Sequence, residues 1–131
     1  MNYEVIIGLE MHSELKTKTK MFSDAPVTYG EKPNTGVSRI DMAYPGVLPT
    51  DNGYGILLAL RSCYWLNMDI DPIVKFDRKN YFYSDLTKGY QITQQYFPIG
   101  SKGSVTLDSG KIIRVNRLHM EEDTAKQTHS G

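Results

Sequence analysis

The sequence predicts an α+β domain with a largely antiparallel sheet and few helices. Runs suited to strands outnumber the single stretch with helical spacing, and several of them follow one another with only a turn between. At 131 residues the chain is the size of one domain, long enough to bury roughly two-thirds of its unfolded surface without disulfide staples.

Taken in order, residues 3–15 alternate as a strand does. Tyr3, Val5, Ile7, Leu9 and Met11 share one face, and Glu4, Ile6, Gly8, Glu10, His12 and Glu14 the other. Residues 16–50 hold Pro26, Pro33, Pro45 and Pro49 with Gly30, Gly36 and Gly46 and keep no helical period. They read as loops with a short strand near residues 38–42, and so long an irregular segment is more often functional than idle. Asp51 or Asn52 can cap a helix running to Leu66, whose Ile56, Leu57, Leu60, Cys63, Tyr64 and Trp65 form an apolar stripe for the core. Residues 73–83 and 89–97 suit strands, with a turn over 84–88. Residues 105–107 and 111–118 flank Asp108-Ser109-Gly110, a turn in which Gly110 can take positive φ, and so predict a hairpin.

Cys63 is the only cysteine, which excludes an internal disulfide and points to a reducing cytosol. It reads as a small buried hydrophobe rather than a catalytic thiol, with no histidine near it in sequence. No apolar run approaches the ~20 residues of a membrane helix, and the start lacks the basic flank and apolar run of a signal peptide, so a soluble, cytoplasmic protein is expected. Fifteen basic and fifteen acidic residues give zero net charge, which argues against gripping nucleic acid by bulk electrostatics and leaves only local RNA contact.

Chemistry concentrates in residues 75–94. Arg78, Lys79 and Lys88 can serve phosphate or carboxylate, Asn80, Gln91 and Gln94 can donate and accept, and Tyr81, Phe82, Tyr83 and Tyr90 are platforms for a base or ribose. The stretch reads either as a polar active-site wall or as an edge strand and turn with solvated charges. Strand geometry also puts Glu10, His12 and Glu14 on one face, about 7 Å apart in succession. Arg117, His119 and Glu121 repeat the pattern near the other end, leaving Leu118 and Met120 for the core, with Glu122 and Asp123 following. Were the two strands neighbours, their carboxylates would converge on a patch that a divalent cation could neutralise. Carboxylates with one imidazole suit Mg²⁺ or Mn²⁺ rather than zinc. A solvated face of ordinary ion pairs is the other reading.

These blocks also carry a resemblance. Residues 3–18, Pro33-Asn34-Thr35, Tyr44-Pro45-Gly46-Val47-Leu48-Pro49, residues 75–94 and Arg117-Leu118-His119-Met120-Glu121-Glu122-Asp123 resemble, in order and over nearly the whole chain, the B subunit family of aspartyl/glutamyl-tRNA amidotransferases. The resemblance implies a fold similar to glutamine synthetase and the guanidino kinases. It also implies that the chain is an N-terminal part of the catalytic domain, without the helical and tail regions that engage tRNA.

The implied reaction uses ATP and Mg²⁺ to phosphorylate the side-chain carboxylate of Glu-tRNA(Gln) or Asp-tRNA(Asn). Ammonia from glutamine, delivered by the amidase (A) subunit of a heterotrimer completed by a small C subunit, then displaces phosphate. Glu10, His12 and either Glu121 or Glu122 would hold metal, alternation favouring Glu121. Arg78, Lys79 and Lys88 would compensate phosphate or carboxylate, Tyr81 and Tyr83 would shape the pocket, and Asn80 and Gln91 would line the nucleotide. Lys20, Ser84 and Asp85 would lie near. No Walker-type glycine loop is present, so nucleotide would lie in a sheet-based cradle. His129 is assigned no role.

The chain departs from many relatives at a four-cysteine zinc knuckle, whose positions match Ser23, Ala25, Ser38 and Asp41. These cannot make a thiolate site, so no zinc is expected, and packing of Phe22, Tyr29, Val37, Ile40, Met42 and Tyr44 is expected to hold the loop. For the isolated chain the expectation is no transamidation. The rival reading is a non-catalytic module that docks the A and C subunits.

Overall fold

The computed structural model describes residues 3–84 and 86–123, so the expectations for Asp85 and His129 lie outside the described residues. Among the described residues regular structure comprises one helix, α1 (Gly53–Trp65), and five strands: β1 (Asp69–Ile70), β2 (Asp77–Asn80), β3 (Tyr90–Thr93), β4 (Gly100–Thr106) and β5 (Ile112–Leu118). β1, β4 and β5 form one sheet in the order β1-β4-β5, β2 and β3 form another, and every pairing is antiparallel. The α+β class with a largely antiparallel sheet is thus as expected.

α1 begins where Asn52 stops the extended chain. Its side-chain oxygen accepts from the N–H groups of Tyr54 and Gly55, both at 3.1 Å, satisfying two donors that a helix start leaves without partners. Its side-chain nitrogen donates to the Thr19 hydroxyl at 2.9 Å and the Thr19 carbonyl at 3.1 Å, so the cap also anchors the preceding loop. At the other end Asn67 takes φ 51°. The N–H of Asn67 then donates to Tyr64 O and that of Met68 to Cys63 O, the paired closure that reverses a chain after a helix.

Gly55, Ala59 and Cys63 lie four residues apart on the buried face of α1. Ala59 and Cys63 join Met68, Ile99 and Met120 in the core, with Met21, Ile56, Leu60, Leu66, Phe76, Val115 and Leu118 packed around them. β4 can approach this helix only because it carries Gly100 and Gly103. A Cβ at Gly103 would stand 2.7 Å from the Leu66 carbonyl oxygen, and one at Gly100 2.5 Å from Cys63 Sγ. The same approach lets Ser104 N–H donate to that carbonyl at 2.8 Å.

The hairpin closes as expected through Asp108-Ser109-Gly110, with Gly110 at φ +79° and Leu107 N–H donating to Lys111 O. Its first strand starts earlier than expected, at Gly100. Elsewhere the structure corrects the sequence reading. Residues 3–16 carry no regular secondary structure, and Tyr3, Val5, Ile6, Ile7, Leu9 and Met11 are all more than 80% exposed. Alternation sets the faces of a strand, but a ladder also needs a neighbour, and none of the five strands takes this segment as one.

Residues 38–42 form turns rather than a strand, with Met42 N–H donating to Ser38 O and Ala43 N–H to Ile40 O. Tyr64 and Trp65, expected in the core, are 78% and 76% exposed, because the narrow stripe of small residues on α1 faces inward and rotates them out. β2 and β3 are shorter than the runs that suited them, and β1, at two residues, is too short for alternation to reveal.

Candidate functional site

The polar stretch 75–94 becomes the β2–β3 sheet and its connection. Register pairs Arg78 with Ile92, Lys79 with Gln91 and Asn80 with Tyr90. Arg78, Asn80 and Tyr90 therefore share one face, while Lys79 lies on the other with Gln91. This corrects the picture of a single polar wall: the neighbouring cations diverge. On the first face the Arg78 guanidinium lies 5.5 Å and the Lys88 ammonium 5.4 Å from the Tyr90 ring centroid, so one aromatic ring meets two cations. Lys79 stands 5.8 Å from the Tyr81 ring, and Tyr81 meets Tyr83 edge to face at 5.4 Å. Phe82 is 88% exposed.

Lys88 differs from the other two cations. Its side chain is only 5% exposed and pairs with Glu122. The second Glu122 oxygen accepts Ile92 N–H at 3.3 Å, while the Glu122 main chain donates to Ile92 O at 2.9 Å and accepts from the Gln91 side chain at 2.7 Å. Glu122 and Gln91 thus tie the segment after β5 to β3, with Lys88 neutralising the charge. Arg78 and Lys79 are the cations left facing solvent from β2.

Alternation does persist past the end of β5. Met120 is buried and Leu118 packs on the core, while His119 and Glu121 point the other way. Glu121 stands between two imidazoles, His12 Nδ1 at 3.4 Å from one oxygen and His119 Nε2 at 3.4 Å from the other. The two ends of the described chain therefore meet at this carboxylate, although the N-terminal segment forms no strand. Glu10 lies exposed on that segment, and His12 is 71% exposed. Among the described residues no group of three or more His, Cys, Asp or Glu side chains stands in metal-holding geometry.

Two further polar centres have roles that the sequence did not show. Gln94, completely buried, donates its side-chain nitrogen to Lys75 O at 2.8 Å and accepts Met120 N–H at 3.0 Å. Arg117, expected on the face of His119 and Glu121, donates to the carbonyls of Gln94 and Gln95.

The second centre is the loop where packing of six apolar residues was expected. Of these only Phe22 and Ile40 are buried, and Tyr29 is fully exposed. The positions of Ser23, Ser38 and Asp41 converge instead in a hydrogen-bonded knot. One Asp41 oxygen accepts the Ser23 hydroxyl at 2.9 Å and Ser38 N–H at 2.8 Å, and Lys20 stands 3.2 Å from the other. The Ser38 hydroxyl donates to Ser23 Oγ at 3.4 Å, and Ala25 N–H donates to it at 3.1 Å. Burial pushes the Asp41 pKa up, but Ser38 N–H, the Ser23 hydroxyl and Lys20 together outweigh it and leave it lowered. The signal available in sequence was the set of short polar residues matching the knuckle positions.

A groove of about 610 Å³ lies between residues 14–16 and α1, lined by Leu58, Leu60, Arg61, Ser62, Tyr64 and Trp65. It shares no residue with the cation and carboxylate cluster.

With its antiparallel sheets and this cluster in view, the chain belongs to the family of the GatB/GatE catalytic domain, whose model it matches over residues 5–131. It is 65% identical to the B subunit of the aspartyl/glutamyl-tRNA(Asn/Gln) amidotransferase of Mesoplasma florum, with 98% of this chain and 27% of that relative covered. The proteins of the same name from Mycoplasma mycoides and Bacillus cytotoxicus are 58% and 51% identical, covering 98% and 100% of this chain and 28% of each relative. The chain thus spans little more than a quarter of the length of these relatives. Among the described residues no helix is long and apolar enough to cross a membrane.

Proposed function

We propose that this chain provides the nucleotide- and divalent-cation-binding part of a glutamine-dependent tRNA amidotransferase. The observation that carries the reading is Glu121 held between His12 and His119, beside the Lys88–Glu122 pair. Substrates would be ATP and Glu-tRNA(Gln) or Asp-tRNA(Asn), and partners the A and C subunits. In this reading the domain takes an architecture similar to glutamine synthetase and the guanidino kinases and works in the cytoplasm.

In this reading the donor chemistry of Glu10, His12 and Glu121 suits Mg²⁺, whereas the Glu122 carboxylate is engaged by Lys88 and the Ile92 N–H. Bound there, the ion would offset charge as phosphate transfers to the side-chain carboxylate. Arg78 and Lys79 face solvent where they can meet phosphate or carboxylate, and Tyr90, Tyr81 and Tyr83 offer ring faces and edges to a base or ribose. Lys88 orients Glu122 and contributes positive charge to Tyr90 rather than contacting phosphate. Gln91, through the Glu122 carbonyl, keeps the segment after β5 against β3. Activation is required because a carboxylate is a poor electrophile; ammonia then displaces phosphate from the acyl phosphate.

The test is NMR of the histidine rings during Mn²⁺ titration, with His12→Asn and His119→Asn used for assignment. Selective broadening of the His12 and His119 signals is expected. Absent or uniform broadening would overturn the reading and favour the alternative, a docking module for the A and C subunits. That alternative draws on the exposed apolar residues of segment 3–11 and on the outward Tyr54, Leu57, Tyr64 and Trp65 of α1.

A further inference from the structure

We infer that the Ser23–Ser38–Asp41 knot is a positioning device for residues 86–89, and that Thr87 is its connecting residue. The Thr87 hydroxyl donates to the Asp41 main-chain carbonyl at 2.6 Å, across 46 positions of sequence. It crosses to a residue whose own side chain is fixed by three partners: the Ser23 hydroxyl, Ser38 N–H and Lys20. On its far side Thr87 adjoins Lys88, whose buried ammonium pairs with Glu122.

Within this connection the described backbone bonds are local. Leu86 N–H donates to Tyr83 O and Tyr81 N–H to Gly89 O, while Gly89 itself sits at φ +66° against the Phe82 ring. Hydrogen bonds within a loop do not set its orientation relative to the rest of the molecule; the Lys88–Glu122 pair holds one side of it, and the Thr87 tether to the knot holds the other. The polar knot supplies that point, so its effect reaches the Lys88–Glu122 pair through Thr87 without the knot touching either. The consequence for ligand binding, tighter nucleotide retention by a fixed loop, rests on the function proposed above; the tether itself does not.

Amide hydrogen exchange of the 131-residue chain carrying Thr87→Val tests it. Val keeps the shape and β-branching of Thr and removes the donor. Exchange at Leu86 and Tyr81, whose amides are bonded within the loop, is expected to accelerate about tenfold, with the knot amides of Ala25 and Ser38 and the unfolding midpoint unchanged, and Thr87→Ser is expected to restore protection. Unchanged exchange in Thr87→Val, or equal acceleration throughout the chain, would overturn the tether. An ATP–Mg²⁺ titration of the same variants separates the two claims. Accelerated exchange with weakened ATP binding supports both, while accelerated exchange with ATP bound by neither variant nor parent supports the tether and removes the nucleotide reading.

Discussion

Asp41 is a carboxylate kept ionised by its neighbours. Its folded pKa is lowered despite burial, because Ser38 N–H, the Ser23 hydroxyl and Lys20 favour the charged form. A carboxyl depressed in this way contributes stability that is complete above about pH 4 and is lost as the pH falls through its folded pKa. Asp41→Asn is expected to flatten the acid limb of the stability–pH profile, measured by urea unfolding between neutral pH and pH 3; a limb as steep as in the parent would contradict the assignment. Glu122 and Lys88 make a second case. Removing one member of a buried pair leaves its partner without compensation, at a cost of about 3–5 kcal/mol, whereas replacing both with apolar residues is often neutral. Lys88→Met should therefore destabilise strongly, and Lys88→Met with Glu122→Leu should recover much of the loss in urea titrations. Equal stability of the single and double variants would show that the loss does not come from an uncompensated Glu122. Such partners are illegible in sequence, since Lys88 and Glu122 are 34 positions apart and each reads on its own as a site residue, Lys88 for phosphate and Glu122 for metal. Glu121 was legible because the alternation that buries Leu118 and Met120 sends it to the opposite face.

The elements most clearly written in the sequence are those whose ends are set locally. Asn52 as a helix cap and Gly110 in a hairpin turn need only their immediate neighbours, and both are where the sequence places them. Asn52 also donates to Thr19, which allows its two roles to be separated. Asn52→Ala should cost about 1–2 kcal/mol from the lost cap alone, with more from the freed Thr19 oxygens. Asn52→Asp keeps the acceptor and loses the donors, so thermal denaturation should place it between the parent and Asn52→Ala. An Asp variant as unstable as Ala would mean that the loop anchor, not the cap, dominates. The turns at 38–42 were misread because their geometry comes from the Asp41 side chain and Ser38, a side-chain device that no strand pattern records. The inward face of α1 was misjudged for a related reason. Closeness to β4 selects Cys63 for the interior and closeness to Met21 selects Gly55, so the large residues at 64 and 65 are turned outward.

For the whole molecule, class and hairpin were legible, while the arrangement of one sheet against the other was not. Segment 3–15 shows the limit: its periodicity is that of a strand, yet its pairing depends on a neighbour that the five strands do not supply. The two sheets share no ladder among the described residues, and one buried link between them is the amide of Gln94, bound at one end to the residue 75 carbonyl ahead of β2 and at the other to Met120 N–H beyond β5. Leucine there would leave both main-chain groups buried without partners, each costing about 1–3 kcal/mol. The loss should also take a particular form. With the amide in place neither sheet can open alone without breaking it, so both belong to one cooperative unit and their slowest amides should exchange through a common opening. Gln94→Leu should divide that unit, broadening the thermal transition and giving the amides of β2–β3 a faster exchange class than those of β4–β5. If the variant melts as sharply as the parent with one exchange class, the unity of the fold lies in its apolar core instead. Otherwise one buried side chain, offering a donor to one sheet and an acceptor to the other, joins the Glu122 and Arg117 contacts in making two small sheets melt as one body.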